Sequence, residues 1–176
     1  MVIKLKYWLE RVLEFISIFL LISLAVIVVL AVVFRFLGQS LIWYDEVASV
    51  VLAWLTYYGS ALAVCNRGHL GFPGLFLSLP RRLRAIAFII AEVVVIGFFV
   101  VIGYAGWYLL EIFGDETLIS LNWVRLSFTQ SVIPVGAVLF IVAEILSIPE
   151  AWKKSMAGID FEKIAIDQAI EEAKES

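Results

Sequence analysis

Apolar and polar positions along this chain fall into long blocks rather than alternating residue by residue. Four stretches, 15–34, 47–66, 93–110 and 126–143, contain no charged side chain. Each is about 18–20 residues long, which is the length a helix needs to cross a bilayer's hydrocarbon core. Lipid offers no partners for backbone N–H and C=O groups, so segments of this kind cross as helices. The pattern predicts an all-α membrane protein with four transmembrane helices, at about 12–36, 45–66, 83–111 and 126–148. Residues 1–152 then form one membrane domain and 153–176 an acidic cytoplasmic tail. An amphipathic lead-in precedes the first span. Leu5, Leu9, Val12 and Leu13 share a face there, and Lys4, Lys6 and Arg11 are available to lipid phosphates.

The four spans differ in character. Span 1 is aliphatic, with only Ser17 and Ser23 as polar groups, and reads as a lipid-facing or scaffold helix. Span 2 carries Ser49, Ala53, Gly59 and Ala63, two small-xxx-small pairs that let helices approach closely. It also holds Trp54, Tyr57 and Tyr58 away from its ends, where indole and phenol groups need hydrogen-bond partners. Two readings stay open for this span: packing within the bundle, or a face reserved for another subunit. Gly68, Gly71, Pro73 and Gly74 predict a tight loop, and 75–79 a short apolar segment on the membrane surface. Pro80 stands where span 3 would start, a position proline tolerates. Gly97, Gly103 and Gly106 predict close packing of span 3, and Pro134 a kink in span 4. The stretch 159–176 suits either a short amphipathic helix or disorder.

Composition agrees with the pattern: 63% of the 176 residues are hydrophobic. The mean hydropathy is +1.02. Charge adds orientation. Nine Lys and Arg residues flank one side of the spans (Lys4, Lys6, Arg11, Arg67, Arg81, Arg82, Arg84, Lys153 and Lys154), and two, Arg35 and Arg125, flank the other. The positive-inside rule puts both termini and the middle loop in the cytoplasm and turns loops 35–46 and 111–125 outward. Tyr7, Trp8 and Trp152 then mark the inner interface, and Trp43, Tyr44, Trp107, Tyr108 and Trp123 the outer one. The first stretch is longer than a signal-peptide core and lacks a small-residue cleavage site, so it reads as a retained span.

Candidate chemistry is sparse. One cysteine, Cys65, excludes an internal disulfide, and one histidine, His69, excludes a multi-histidine metal site or bis-histidine haem within the chain. No nucleophile–base set, phosphate loop or nucleic-acid patch stands out, so neither a catalytic centre nor a cofactor is expected. Glu92 is the main charge inside a span, about 12 Å in when counted from Arg84. It suits a proton or cation site, or a structural contact with a neighbouring helix. Asp45 and Glu46 open span 2. Asp45 is placed to cap the helix, both acids favour its N-terminal dipole, and one of them could pair with Arg35 or a partner. Glu144 and Arg125 bracket span 4 as interface residues.

Taken in order, these residues are similar to a known family. Phe34-Arg35-Phe36 closes span 1, and Trp43-Tyr44-Asp45-Glu46-Val47-Ala48 opens span 2, followed by Trp54 and Gly59. Asn66-Arg67-Gly68-His69-Leu70, Leu79-Pro80, Trp123 and Ile133-Pro134-Val135-Gly136 follow. Over about residues 10–152 the chain resembles the small Q-type (DctQ-type) membrane subunit of tripartite ATP-independent periplasmic (TRAP) transporters. Two positions depart from that pattern: Asn122 stands before Trp123 where proline is frequent, and Phe72-Pro73 where small or β-branched residues are common.

The resemblance implies a non-catalytic subunit of a sodium-driven, binding-protein-dependent importer of organic acids in the cytoplasmic membrane. Its partners would be a large many-span membrane subunit, which carries substrate and sodium, a periplasmic substrate-binding protein, and membrane lipids, with no nucleic acid. On this reading Trp54, Tyr58, Gly59, Glu92 and Pro134 meet the large subunit. Trp43, Asp45, Glu46, Asp115, Glu116 and Arg125 contribute to docking of the binding protein. The alternative is an independent, oligomeric proton-coupled carrier or channel that uses Glu92.

Overall fold

A computed structural model describes residues 2–66 and 79–157, all of it helix and connecting loop apart from one isolated β-bridge. The expected tight loop, the segment 75–78, His69 and the stretch 158–176 lie outside the described residues. Among the described residues, five helices follow in order: α1 (Val2–Phe36), α2 (Tyr44–Cys65), α3 (Arg81–Phe113), α4 (Leu126–Gln130) and α5 (Val132–Ala157). Four spans among them are long and apolar enough to cross a membrane, the fourth combining α4 with α5.

Helix ends follow local chemistry. The lead-in and the first span form one uninterrupted helix, α1, which begins at Val2. It stops at Gly38, which has a left-handed φ of 79°. There Gln39 N–H reaches the Phe34 carbonyl and Gly38 N–H the Arg35 carbonyl, a Schellman closure that favours glycine. Asp45 does not cap α2. Trp43 occupies the cap position without a side-chain hydrogen bond, and Asp45 and Glu46 sit in the first turn. Pro80, in extended conformation, sets off α3.

Pro134 has no N–H to give the Gln130 carbonyl, so the hydrogen-bond ladder of span 4 is interrupted at Ser131, which itself keeps helical φ and ψ of -57° and -22°. A second proline, Pro149, lies inside α5.

The helices pack in the order α1, α2, α5, α3, with a smaller contact of α1 on α5. Helix α5 is therefore central. In the most apolar stretch of its span 39% of residues are buried, against 6–11% in the other three. Leu13, Ala61, Val64, Cys65, Phe140 and Ala143 form the core where α1, α2 and α5 meet. Without water between helices, shape complementarity has to supply most of the association energy. Glycines supply it here. A Cβ on Gly106 would lie 2.6 Å from Ile133 Cγ2, and one on Gly136 2.7 Å from Tyr57 Cβ. Phe99 stacks on Phe140 with centroids 3.5 Å apart. Large apolar side chains such as Phe19, Ile22 and Val29 of α1, and Val94, Val101 and Tyr104 of α3, stay exposed for lipid.

Candidate interaction surfaces

The face of α2 turned away from its neighbours is small and weakly polar. Asp45, Ser49, Leu52 and Thr56 are exposed along it, and Gly59 and Ala63 continue the stripe half-buried. Ser49 Oγ donates to the Asp45 carbonyl at 2.7 Å and Thr56 Oγ1 to the Leu52 carbonyl at 2.8 Å. Both hydroxyls thus satisfy themselves within the helix and can meet an apolar surface at little cost. A Cβ on Gly59 would meet nothing within 4 Å, unlike Gly106 and Gly136.

Several expected interface residues have partners inside the chain. Trp54 Nε1 donates to the Thr129 carbonyl at 2.9 Å, and its ring lies 5.2 Å from Phe128 and 6.2 Å from Tyr58. Tyr58 also packs against the core cluster. Pro134 Cδ lies 3.0 Å from a Cβ built on Gly106, inside the α3–α5 contact. Gly59 is thus the member of the expected set that the bundle leaves open.

Helical register locates Glu92. Phe88, Val95, Phe99, Gly103 and Gly106 mark the face of α3 toward α5, through contacts of Phe88 with Trp152, Phe99 with Phe140, Gly103 with Ala137 and Gly106 with Ile133. Glu92 falls on this face, one turn, or about 6 Å, from Phe88. Glu92 thus lies one turn along α3 from the Phe88–Trp152 contact, on the side of the helix that faces α5. The antiparallel register sets Glu92 near the α5 turn that holds Glu144 and Ser147. Glu144 is 3% exposed and Ser147 0%, so both side chains are buried in the bundle.

The connection 114–125, at the end of the bundle opposite the N-terminus, is folded on itself and tied to α2. Leu118 N–H reaches the Val124 carbonyl at 3.0 Å, and Leu126 N–H the Glu116 carbonyl at 2.8 Å, around a bridge between Thr117 and Arg125. Glu46 takes the backbone N–H groups of Ile119 and Ser120, each at 2.8 Å, and also the Ser120 hydroxyl. The Glu46 carboxylate is therefore a clamp on this loop. Leu118 is buried beneath it, while Ile119 and Trp123 project at 92% and 81% exposure. Trp123, Arg125 and Phe128 line a shallow hollow of about 470 Å³. Asp115, Glu116 and Arg125 are exposed on the same loop, and Trp43 and Asp45 at the start of α2.

Sequence reasoning missed Ser120, Thr129 and the pairing of Lys6 Nζ with Glu150 at 2.7 Å. Each joins residues tens of positions apart, so no local spacing announces it. Among the described residues, no three of His, Cys, Asp and Glu converge to hold a metal ion.

Comparison with known proteins agrees with this architecture. A family model described as "Tripartite ATP-independent periplasmic transporters, DctQ component" matches residues 24–154. None of the curated proteins compared with the chain matches it.

Proposed function

Since the chain belongs to the family of DctQ components of tripartite ATP-independent periplasmic transporters, we propose that it is the non-catalytic brace of a sodium-driven, binding-protein-dependent importer of organic acids. It packs on the large transport subunit in the cytoplasmic membrane and helps dock the periplasmic binding protein, with both termini in the cytoplasm. The observation that carries this reading is the outer stripe of α2. It is small, its hydroxyls are internally satisfied and it is open at Gly59, whereas the outward face of α1 is aliphatic and the open Gly97 of α3 is flanked by the exposed Val93, Val94, Val100 and Val101. Close approach of a second helix is the use such a face suits best.

Docking of the binding protein falls to the loop clamped by Glu46. Its exposed Ile119 and Trp123 are rigidly presented, and Asp115, Glu116 and Arg125 surround them with charge. Apolar anchors with a charged rim suit a reversible protein contact. Asp45 and Trp43 extend the same surface. Glu46 acts through the loop it holds. The carrier reading would need a path lined by polar groups to Glu92, which instead falls on the face of α3 packed toward α5.

The test is co-purification from native membranes in mild detergent. The wild-type subunit should bring down a many-span partner in equal amount. Gly59→Leu should leave the subunit folded and monodisperse but remove the partner. Retention of a stoichiometric partner by Gly59→Leu would exclude this face, and a wild-type homo-oligomer with nothing attached would exclude the subunit reading itself.

A further inference from the structure

The first turn of α3 and the last turns of α5 border an open hollow of about 600 Å³, lined by Arg81, Arg82, Ala85, Trp152, Lys153 and Met156. That volume is in the range of small-molecule sites. Its chemistry is two-sided. Ala85, Met156 and the Trp152 ring, braced edge-on against Phe88 at 5.4 Å, give it an apolar body. Arg81, Arg82 and Lys153 give it a cationic mouth.

These three charges are not neutralised by described neighbours. None of them makes an ion pair with a described acid. Glu150, one turn from Lys153, is held by Lys6 at 2.7 Å. Arg84, the other cation of this turn, is committed elsewhere: its guanidinium donates to the carbonyls of Ser155 and Leu79, each at 3.1 Å. The bond to Ser155 ties the start of α3 to the end of α5, across the two walls of the hollow, and the bond to Leu79 is local. The first turn of α3 contains no acid, so its positive dipole end adds to the same field.

We propose that this hollow is a binding site for one anionic phospholipid of the leaflet that faces the chain's N-terminus. Trp152 sits at belt depth, and the three cations lie on its water side, at headgroup level. Two arginine forks suit a phosphodiester, and Lys153 suits a second headgroup charge. Acyl chains have a path along Ile86 and Ile89, exposed on the next turns of α3. Free phosphate would use the mouth alone and leave the apolar body empty. The site stands on these residues and does not depend on the transporter reading.

Native mass spectrometry of the full chain, titrated with phosphatidylglycerol or phosphatidylcholine, tests the proposal. The acids of 158–176 are then present as competitors. One phosphatidylglycerol should be retained with a preference on the order of 10–100-fold over phosphatidylcholine. R81Q/R82Q/K153Q should lose that preference, and Lys4→Gln should keep it. Millimolar glycerol phosphate should fail to displace the lipid. An undiminished preference in the triple variant, no preference in the wild type, or displacement by glycerol phosphate would each overturn the proposal. If the triple variant does not fold, Lys153→Gln alone must lower the preference, and an unchanged value is equally fatal.

Discussion

At the scale of single residues, glycines of the same chemical type carry opposite demands. Gly106 and Gly136 sit where another side chain occupies the space of a Cβ, at 2.6 and 2.7 Å, and neither Ile133 nor the Tyr57 Cβ is a flexible tip that can swing aside. Gly106→Ala and Gly136→Ala should each lower stability by about 1–3 kcal/mol, the usual cost of overpacking. Gly59→Ala meets open space and should raise the stability of the isolated subunit by about 0.5–1 kcal/mol, through helix propensity. Reversible unfolding in mild detergent measures all three, and a destabilised Gly59→Ala would mean that its face is filled within the chain. All three glycines are visible in the sequence, but the sequence does not say which have a neighbour. Glu46 makes the same point. Its place beside Asp45 marks a helix start, while its function as a loop clamp depends on Ile119 and Ser120, more than 70 positions away.

At the scale of elements, the attachment of α1 separates packing from charge. Near α5 the helix carries Leu13, 1% exposed within the core cluster, and the Lys6–Glu150 pair, whose side chains are 20% and 50% exposed. Exposed ion pairs contribute little, whereas a cavity in a tight helix junction cannot be refilled by lipid. Leu13→Ala should therefore destabilise toward the low end of about 2–5 kcal/mol, and Lys6→Ala by less than about 1 kcal/mol. The same unfolding measurement decides it, and equal losses would show that the ion pair organises the junction. The interruption between α4 and α5 belongs to this scale as well. Pro134 makes a disturbance predictable, while the contacts beside it, α3 pressed close at Gly106 and Trp54 on the Thr129 carbonyl, come from elements distant in sequence.

At the scale of the whole molecule, both ends of the described chain lie at the cationic end of the bundle, with the clamped loop at the other. The positive-inside rule assigns the cationic end to the cytoplasm. Cys65 is buried, so the wild type supplies the blank for a labelling experiment. With a membrane-impermeant maleimide on intact cells, cysteines introduced at the exposed positions Ser40 and Thr117 should be labelled. One at Lys153 should react only after permeabilisation. The reverse pattern would invert the protein and move the loop of Ile119 and Trp123 away from any periplasmic partner. In the proposed complex this geometry separates the two tasks: the side of α2 meets the large subunit, and the far loop meets the binding protein.

By itself the sequence determined the helical class, the number of spans and, through the order of its motifs, the family. Those features follow from segment length, the absence of charge and the need to satisfy the backbone in lipid, all of which act locally. Tertiary structure alone decided that α5 is the central helix, that Glu144 is buried, and that Gly59 is open while Gly106 and Gly136 are filled. Four apolar segments are nearly interchangeable to the hydrophobic pattern. Which faces meet is settled by side-chain shape across pairs of helices, and that information does not exist until the helices are placed together.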